Sequence, residues 1–452
     1  MRTLASSVRG TIRRDALREA VAYDLGGLKA LVAAGGYATA AAAPLLGPAA
    51  GRRRFAILTR LHNGLLSPTI DRLITKDIAE ALQQEREGRR TGLGRLFDDV
   101  IARSVADFRR SRDPDPARLL GVRLLVIKGA RPRERGVLVV DYSYVFPLLA
   151  GLFDLAAIAD RYTIVMEPSG AGVCAPEILL YTRLKQPVYV ETAEPRDHAF
   201  IAAIGTNLRT VPMGANWWVD HRSMTPVTSD RDIDVMMVAN WSDVKRHWRF
   251  FRALAALRRS GHRLRVALAG YSYYDRTQEY IRELARYFGI GLEVETYDRI
   301  PQEQVFALLA RSKVHVLWSR RECSNRAIIE AMLADVPIIL RQGLTFGFEY
   351  PYVNPQTGRF ATEAGLGDAI LDVIANRARY SPRQWVLEHM TCERSTRLLE
   401  TTLRDAAIAA GEPWTQGLVA RVSTLDTQRY WTPSDRETFV EDYAFLATAA
   451  RR

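Results

Sequence analysis

Short apolar runs and longer amphipathic stretches alternate along this chain from about Arg54 onward. FAILT (Phe55–Thr59) reads as a buried strand, and a polar loop with His62, Asn63 and Gly64 follows it. Helical spacing covers Ser67 to Glu87 and then Leu93 to Arg112, and the DPDP run Asp113–Pro116 ends the second stretch. Val122–Lys128 and Gly136–Asp141 read as strands, and Val145 to Ile158 as one helix. Tyr162–Glu167 is a strand, the loop PSGAG (Pro168–Gly172) leads to a helix near Pro176, and Pro187–Glu191 and Leu208–Pro212 are strands. After a polar break from Gly214 to Arg231 the alternation restarts. Five strands are expected at Ile233–Ala239, Leu264–Gly270, Leu292–Tyr297, Val314–Ser319 and Val336–Leu340. Helices at Arg246–Arg259, Arg276–Phe288, Gln302–Arg311 and Asn325–Leu333 alternate with them. Near-continuous apolar strands separated by helices imply parallel sheets covered on both faces.

The expected fold class is therefore α/β, with two doubly wound Rossmann-like domains facing each other across a cleft. The division is 1–50 as a helical extension, 51–220 and 221–400 as the two α/β domains, and 401–452 as a C-terminal helical segment. A length of 452 residues suits two or three domains. Hydrophobic residues at 48% and charged residues at 25% exclude wholesale disorder.

Cys174, Cys323 and Cys392 are far apart and form no C-x-x-C, which argues against a disulfide framework or a structural zinc site. A reducing cytoplasmic compartment follows as the expectation. The formal charge of +12 suits an anionic partner (nucleic acid, anionic lipid or nucleotide phosphate) or a generally basic surface with no such partner. Arginines interrupt the first 18 residues, so they do not read as a signal peptide. Gly26 to Gly51 is apolar but rich in Ala, Gly and Pro, a poor membrane span. Peripheral contact with the inner face of a membrane is the reading kept for it.

The chemistry concentrates in ECSNRAIIEAMLADVPII, Glu322 to Ile339. It follows one expected strand directly and runs into the next, so Glu322 falls in a loop at a strand's carboxyl end. Ser324 and Asn325 are N-cap types, and a helix N-terminus attracts anions. Glu330 lies in the helix behind, about 80° around from Glu322 were both on one continuous helix.

This segment resembles the E-x7-E motif of retaining glycosyltransferases of family four, which have the GT-B fold. Both acids, Ala331, Met332 and Pro337 match, whereas Cys323 and Asp335 stand where the family usually has Gly. Val238–Leu257 is similar to the stretch whose basic loop grips the donor diphosphate, with Lys245 on the family's lysine. Asn240 stands where the family has Arg, which leaves open whether Arg246 replaces that contact. Leu268–Asp275, with Gly270, resembles the strand-then-Gly loop, Thr296–Ser319 the nucleobase loop near Arg299 and Ile300, and Val353–Phe360 the late turn.

The resemblance implies a metal-independent hexosyltransferase that takes its sugar from a nucleotide diphosphate sugar with retention and needs no cofactor. Lys245 would neutralise the leaving diphosphate. Glu330 would bind the ribose, and Glu322 with Ser324, Asn325 and Arg326 the donor sugar. The acceptor, a glycan or glycolipid, would lie on the N-terminal domain. His62, Asn63, Gly64, Gly170 and His198 are the candidates there, each also explained as a turn or structural residue.

Asp230–Asp234 repeats D-x-D but precedes its strand, so it reads as linker charge and no metal is expected. No G-x-G-x-x-G at a strand-to-helix turn, P-loop or G-x-S-x-G occurs. The alternatives are another GT-B nucleotide-sugar enzyme (an epimerase or an inverting transferase) and a basic nucleic-acid-binding protein with Trp217, Trp218, Trp241 and Trp248 as stacking groups. The Glu322–Glu330 pair weighs against the first, the core spacing of Trp248 in its helix weighs against the second, and no nucleic acid is expected as partner.

Overall fold

A computed structural model describes residues 2–21, 26–43, 48–64, 67–170, 172–192, 194–224, 226, 230–322, 324–343, 351–424 and 427–451. Cys323 lies outside these residues. The chain forms two compact units: Leu25–Trp218 with Cys392–Arg452, and Val219–Thr391 with Met1–Asp24. Both are α/β and Rossmann-like. The linear division expected at residues 50 and 401 differs from this, because each end of the chain belongs to the unit more distant from it in sequence.

Helix α1 (Arg2–Glu19) belongs to the second unit. The first unit opens with α2 (Gly26–Ala42), α3 (Pro48–Asn63), α4 (Pro68–Arg86) and α5 (Gly92–Arg109). FAILT lies inside α3 and is not a strand. Its buried residues Phe55, Leu58, Thr59 and His62 recur at i, i+3, i+4 and i+7, the period of a helix face. Five apolar letters are too few to separate the two periods, and here the neighbouring helices decided. Ser67 caps α4 as its residue type predicts, with Oγ accepting from the Ile70 N–H.

The first sheet holds β1 (Leu124–Lys128), β2 (Gly136–Asp141), β3 (Tyr162–Glu167), β4 (Val188–Glu191) and β5 (Leu208–Val211), side by side in chain order. β1 runs antiparallel to β2, and β2 to β5 are parallel. This sheet winds in one direction only, so it has no internal reversal of strand order. Between the strands lie α6 (Phe146–Leu152), α7 (Leu155–Arg161), α8 (Pro176–Leu179) and α9 (Pro195–Ile204). The single helix expected over Val145–Ile158 is two. Asp154 caps the second by accepting from the Ala157 N–H, and its own N–H donates to the Ala449 carbonyl.

The second sheet holds β6 (Ile233–Val238), β7 (Val266–Gly270), β8 (Val294–Asp298), β9 (Ser312–Leu317), β10 (Ile338–Arg341) and β11 (Gly358–Ala361). All are parallel, in the order β11-β10-β9-β6-β7-β8. The expected five strands are present, and β11 is a sixth at the edge. The linking helices are α10 (His247–Arg259), α11 (Gln278–Tyr287), α12 (Gln302–Ala310) and α13 (Arg326–Leu333), then α14 (Leu366–Ala375) and α15 (Pro382–His389). The strand order reverses between β6 and β9, which makes this sheet doubly wound.

The chain then returns to the first unit with α16 (Cys392–Ala409), a hairpin of β12 (Arg421–Ser423) and β13 (Gln428–Tyr430), and α17 (Val440–Thr448). The hairpin corrects the all-helical expectation for this segment. Its sequence is too short and polar to read as strands, and it forms because its side chains meet partners on the first sheet. Tyr430 Oη donates to the Val126 carbonyl, and Tyr162 Oη to Asp442.

The fully buried Arg421 bonds Glu167 at 2.6 Å and Glu191 at 2.7 Å and lies over the Trp218 ring. Trp218 donates its indole N–H to the same Glu191. Two strand ends, a linker tryptophan and the returning C-terminus are thus joined at one guanidinium. Replacing Arg421 with Met should leave two buried carboxylates unpaired and lower stability by about 3–5 kcal/mol. Chemical denaturation followed by tryptophan fluorescence checks this. A loss under about 1 kcal/mol would show that the network is dispensable.

Candidate active site

In an open parallel sheet the ligand crevice lies outside the carboxyl ends of the strands where their order reverses. In the second unit that point is between β6 and β9. The two strands pair through Met236 and His315 and then part. Beyond this, the Val238 N–H donates to His315 Nε2 at 3.3 Å instead of to a strand carbonyl. Burial presses the His315 ring down to about 3, so it stays neutral and can accept.

Two loops leave this point. After β6, Asn240 Oδ1 accepts from the Ser242 N–H, and a short 3-10 turn carries Asp243 to Lys245. Arg246 follows in the left-handed region (φ 55°) and starts α10. After β9, the Arg320 N–H donates to the Val244 carbonyl at 2.8 Å, which fixes one loop to the other. Lys245 Nζ meets Glu322 Oε1, and both side chains are largely buried. Asn325, the N-cap of α13, does not cap with its side chain but donates to Glu322 Oε2 at 3.0 Å.

Glu330 is buried in α13, one turn beyond Arg326, whose guanidinium is 3.7 Å away. Burial pushes its carboxyl up, while Arg326 and a hydrogen bond from Gln302 pull it back. Around the same loop, Trp318 Nε1, Ser319 Oγ, Asn325 Oδ1 and Arg326 Nε are buried without a hydrogen-bond partner among the described residues. Buried polar atoms left in this way are usual where a ligand completes the set.

Thus Lys245, Glu322 and Asn325 meet directly, Arg326 and Glu330 meet on α13, and Ser324 stands beside Asn325. Other candidates have different work. The Arg246 guanidinium is buried against Glu19, at 3.0 and 3.1 Å, and Glu363, at 3.1 Å, so it does not stand in for a phosphate-binding arginine at position 240. Asn240 forms its own turn. Gly270 is demanded by the sheet, because a Cβ there would lie 2.1 Å from the Ala239 carbonyl oxygen and 2.9 Å from the Trp241 ring. Arg299 is exposed, in the left-handed region, with its guanidinium 5.6 Å from the Tyr271 ring, and its N–H donates to the Gly270 carbonyl. Ile300 is half-buried next to it. Asp232 pairs with Arg265 and Arg311, and Asp234 with Lys313, the charged role expected of that stretch. Among the described residues no group of three His, Cys, Asp or Glu could hold a metal ion.

In the first unit, His62 and Asn63 end a helix rather than follow a strand. His62 is buried against Phe200 and under Arg196, and burial with that positive neighbour lowers it to about 3. Asn63 donates to the Cys174 carbonyl, and Gly172 (φ 95°) leaves room for it, since a Cβ would lie 2.4 Å from Asn63 Oδ1. The two loops proposed for the acceptor therefore touch, with Gly64 beside them. Both nitrogens of His198 are engaged, by the Thr192 carbonyl and Thr210 Oγ1, which is a structural placement. Gly170 is exposed in open space.

Sequence reasoning missed Glu19, His315 and Arg341. Arg341 ends β10, and among the described residues its guanidinium donates only to carbonyls, of Ser319, Arg320, Gln342 and Gly343. Burial and the nearby Arg246 and Arg320 lower it to about 10. Its position directly after the expected strand Val336–Leu340 was the available signal.

The architecture is GT-B-like in class, two Rossmann-like α/β units in one chain. Residues 225–377, about a third of the chain, match the family described as glycosyl transferases group 1. No curated protein matches the sequence. Among solved structures, sucrose-phosphate synthase from Thermosynechococcus elongatus is similar at 16% identity and a TM-score of 0.47, over 61% of this chain and 74% of that one. A point mutant of TarM from S. aureus, in complex with fondaparinux, alpha-GlcNAc-glycerol and UDP, is similar at 11% identity and 0.46, over 59% and 54%. Anabaena HepE in complex with UDP and glucose is similar at 15% identity and 0.45, over 60% and 78%.

His62, His247 and His315 all sit near 3 when folded, against an ordinary value of 6.5. Their contribution to stability is full above 6.5 and is lost as pH falls from there toward 3. His315→Gln keeps an acceptor for Val238 and removes one titration, so the acid-side loss between pH 7 and pH 4 should shrink by up to about 3 kcal/mol. Denaturation midpoints between pH 7 and pH 4 measure it, and unchanged slopes would contradict it.

Proposed function

We propose that this protein is a retaining glycosyltransferase that moves a hexose-type sugar from a nucleoside diphosphate sugar to a glycan or lipid-linked acceptor. The observation that carries the reading is the Lys245–Glu322 pair at the strand-order reversal, with buried Glu330 behind it on α13. A cation, a hydroxyl-binding acid and a second buried acid one helix turn from an arginine suit the three parts of such a donor.

Breaking the glycosyl–phosphate bond places negative charge on the departing diphosphate. Lys245 and the N-terminus of α13 stabilise that charge without a metal ion. Before the donor arrives, Lys245 is neutralised by Glu322. The diphosphate replaces that carboxylate, and Glu322 turns to sugar hydroxyls. Glu330 accepts from the ribose hydroxyls; burial pushes its carboxyl up, and Arg326 and Gln302 offset part of that. Glu322 stays a binding group, with Oε2 held by Asn325 and Oε1 turned to the sugar hydroxyls, and attack comes from the face the diphosphate leaves.

The acceptor belongs to the first unit in this reading, near the contact of Asn63 with the Gly172–Cys174 loop. Among the described residues no helix is long and apolar enough to cross a membrane. Helix α2 nevertheless exposes Leu28, Leu31 and Val32, a surface that suits peripheral contact with the membrane holding a lipid-linked acceptor.

Thermal unfolding with UDP, GDP or ADP, and with their sugars, tests the donor. One base should raise the midpoint by several degrees. Lys245→Ala and Glu330→Gln should each weaken its binding about tenfold or more, roughly 1.4 kcal/mol. Absence of any nucleotide effect on the wild type would sink the reading. A product of inverted anomeric configuration by NMR would sink the retaining mechanism alone.

A further inference from the structure

The turn that carries Lys245 is held by a helix from the far end of the chain. Helix α1 buries one stripe, Val8, Thr11, Asp15 and Glu19, spaced by three or four residues. Two acids on that stripe make bidentate pairs: Asp15 with Arg276 at 2.6 and 2.9 Å, and Glu19 with Arg246 at 3.0 and 3.1 Å. Glu19 also reaches Arg249 at 3.4 Å. Arg18 lies 3.9 Å from Asp243 in the same turn.

Arg246 directly follows Lys245. A non-glycine residue in the left-handed region is strained and persists only where its surroundings hold it. Here they do so through a buried guanidinium bound to Glu19 and Glu363. Three further cations, Arg249, Arg320 and Arg341, lie close by. Without Glu19, Arg246 and Arg249 would share Glu363 alone among the carboxylates of the contacts described above. Repulsion would then drive the Arg246 side chain outward, its backbone would relax, and the neighbouring Lys245 would move.

We propose that Glu19 is a positioning residue of the donor site: acting through Arg246, it holds Lys245 where the diphosphate binds. This rests on the transferase reading above. It assigns α1 a part in nucleotide binding as well as in stability. Asp15 provides the internal comparison, because its partner Arg276 lies between β7 and α11 and outside the Lys245 turn.

The test is the affinity of the full chain for UDP, GDP and ADP by calorimetry, with the unfolding midpoint measured on the same samples. Glu19→Gln should weaken the preferred nucleotide about tenfold, while Asp15→Asn should lower the midpoint comparably and weaken binding less than threefold. Arg246→Lys keeps the buried charge but loses the bidentate pair. It should weaken binding about fivefold, and it carries the test if Glu19→Gln does not fold. Donor turnover should show the change in KM with kcat altered less than threefold. Wild-type affinity in Glu19→Gln, or equal weakening by Glu19→Gln and Asp15→Asn, would overturn the positioning role and leave the transferase reading intact. A wild type that binds no nucleoside diphosphate would overturn both.

Discussion

The second unit depends on one geometric fact: β6 and β9 are neighbours whose following chains go opposite ways. Hydrogen bonding between them ends at Met236 and His315, and a gap must open beyond. The protein fills the first step with the neutral His315 ring and joins the next with the Arg320–Val244 bond. What remains beyond those contacts is a place where a lysine and a glutamate from separate loops meet. Taking both charges out of water is costly, and each is tolerated because the other is there. A ligand that brings its own negative charge can replace Glu322 at Lys245 without leaving the cation unpaired.

The same balance operates at two other places. In the first unit, Arg421 lies between the ends of β3 and β4, so the C-terminal segment is anchored by charge as well as by apolar packing. Glu167 also presses on the neighbouring Asp141, whose carboxyl burial pushes up to about 7, although Arg123 pairs with it at 3.0 Å. In the second unit, Glu19 and Glu363 offset Arg246 and Arg249 beside the Lys245 turn. An arginine-rich chain makes such arrangements necessary, since each buried guanidinium must find a carboxylate or a set of carbonyls, as Arg341 does.

The second sheet was legible because its strands are apolar and its helices periodic, and those signals are local. Glu322 and Glu330 were singled out through a motif whose spacing is set by the strand, loop and helix carrying it, and Lys245 through the likeness of Val238–Leu257 to a basic loop. The failures were non-local. Phe55–Thr59 became helix because neighbouring helices cover its Phe55–Leu58–Thr59–His62 face. The β12–β13 hairpin exists because Arg421 and Tyr430 find partners on a sheet formed 230 to 304 residues earlier. Arg246 has the composition of a phosphate ligand, yet Glu19, 227 positions away, engages it. Gly270, expected near a donor, is required by the approach of Ala239 and Trp241.

The central claim is that a nucleoside diphosphate takes the place of Glu322 at Lys245. The most direct measurement is a crystal structure of the protein with the nucleoside diphosphate it binds best. The account predicts the terminal phosphate within hydrogen-bond distance of Lys245 Nζ, the Lys245–Glu322 pair opened, and the ribose hydroxyls on Glu330. A nucleotide bound elsewhere, with Lys245 still paired to Glu322, would contradict it.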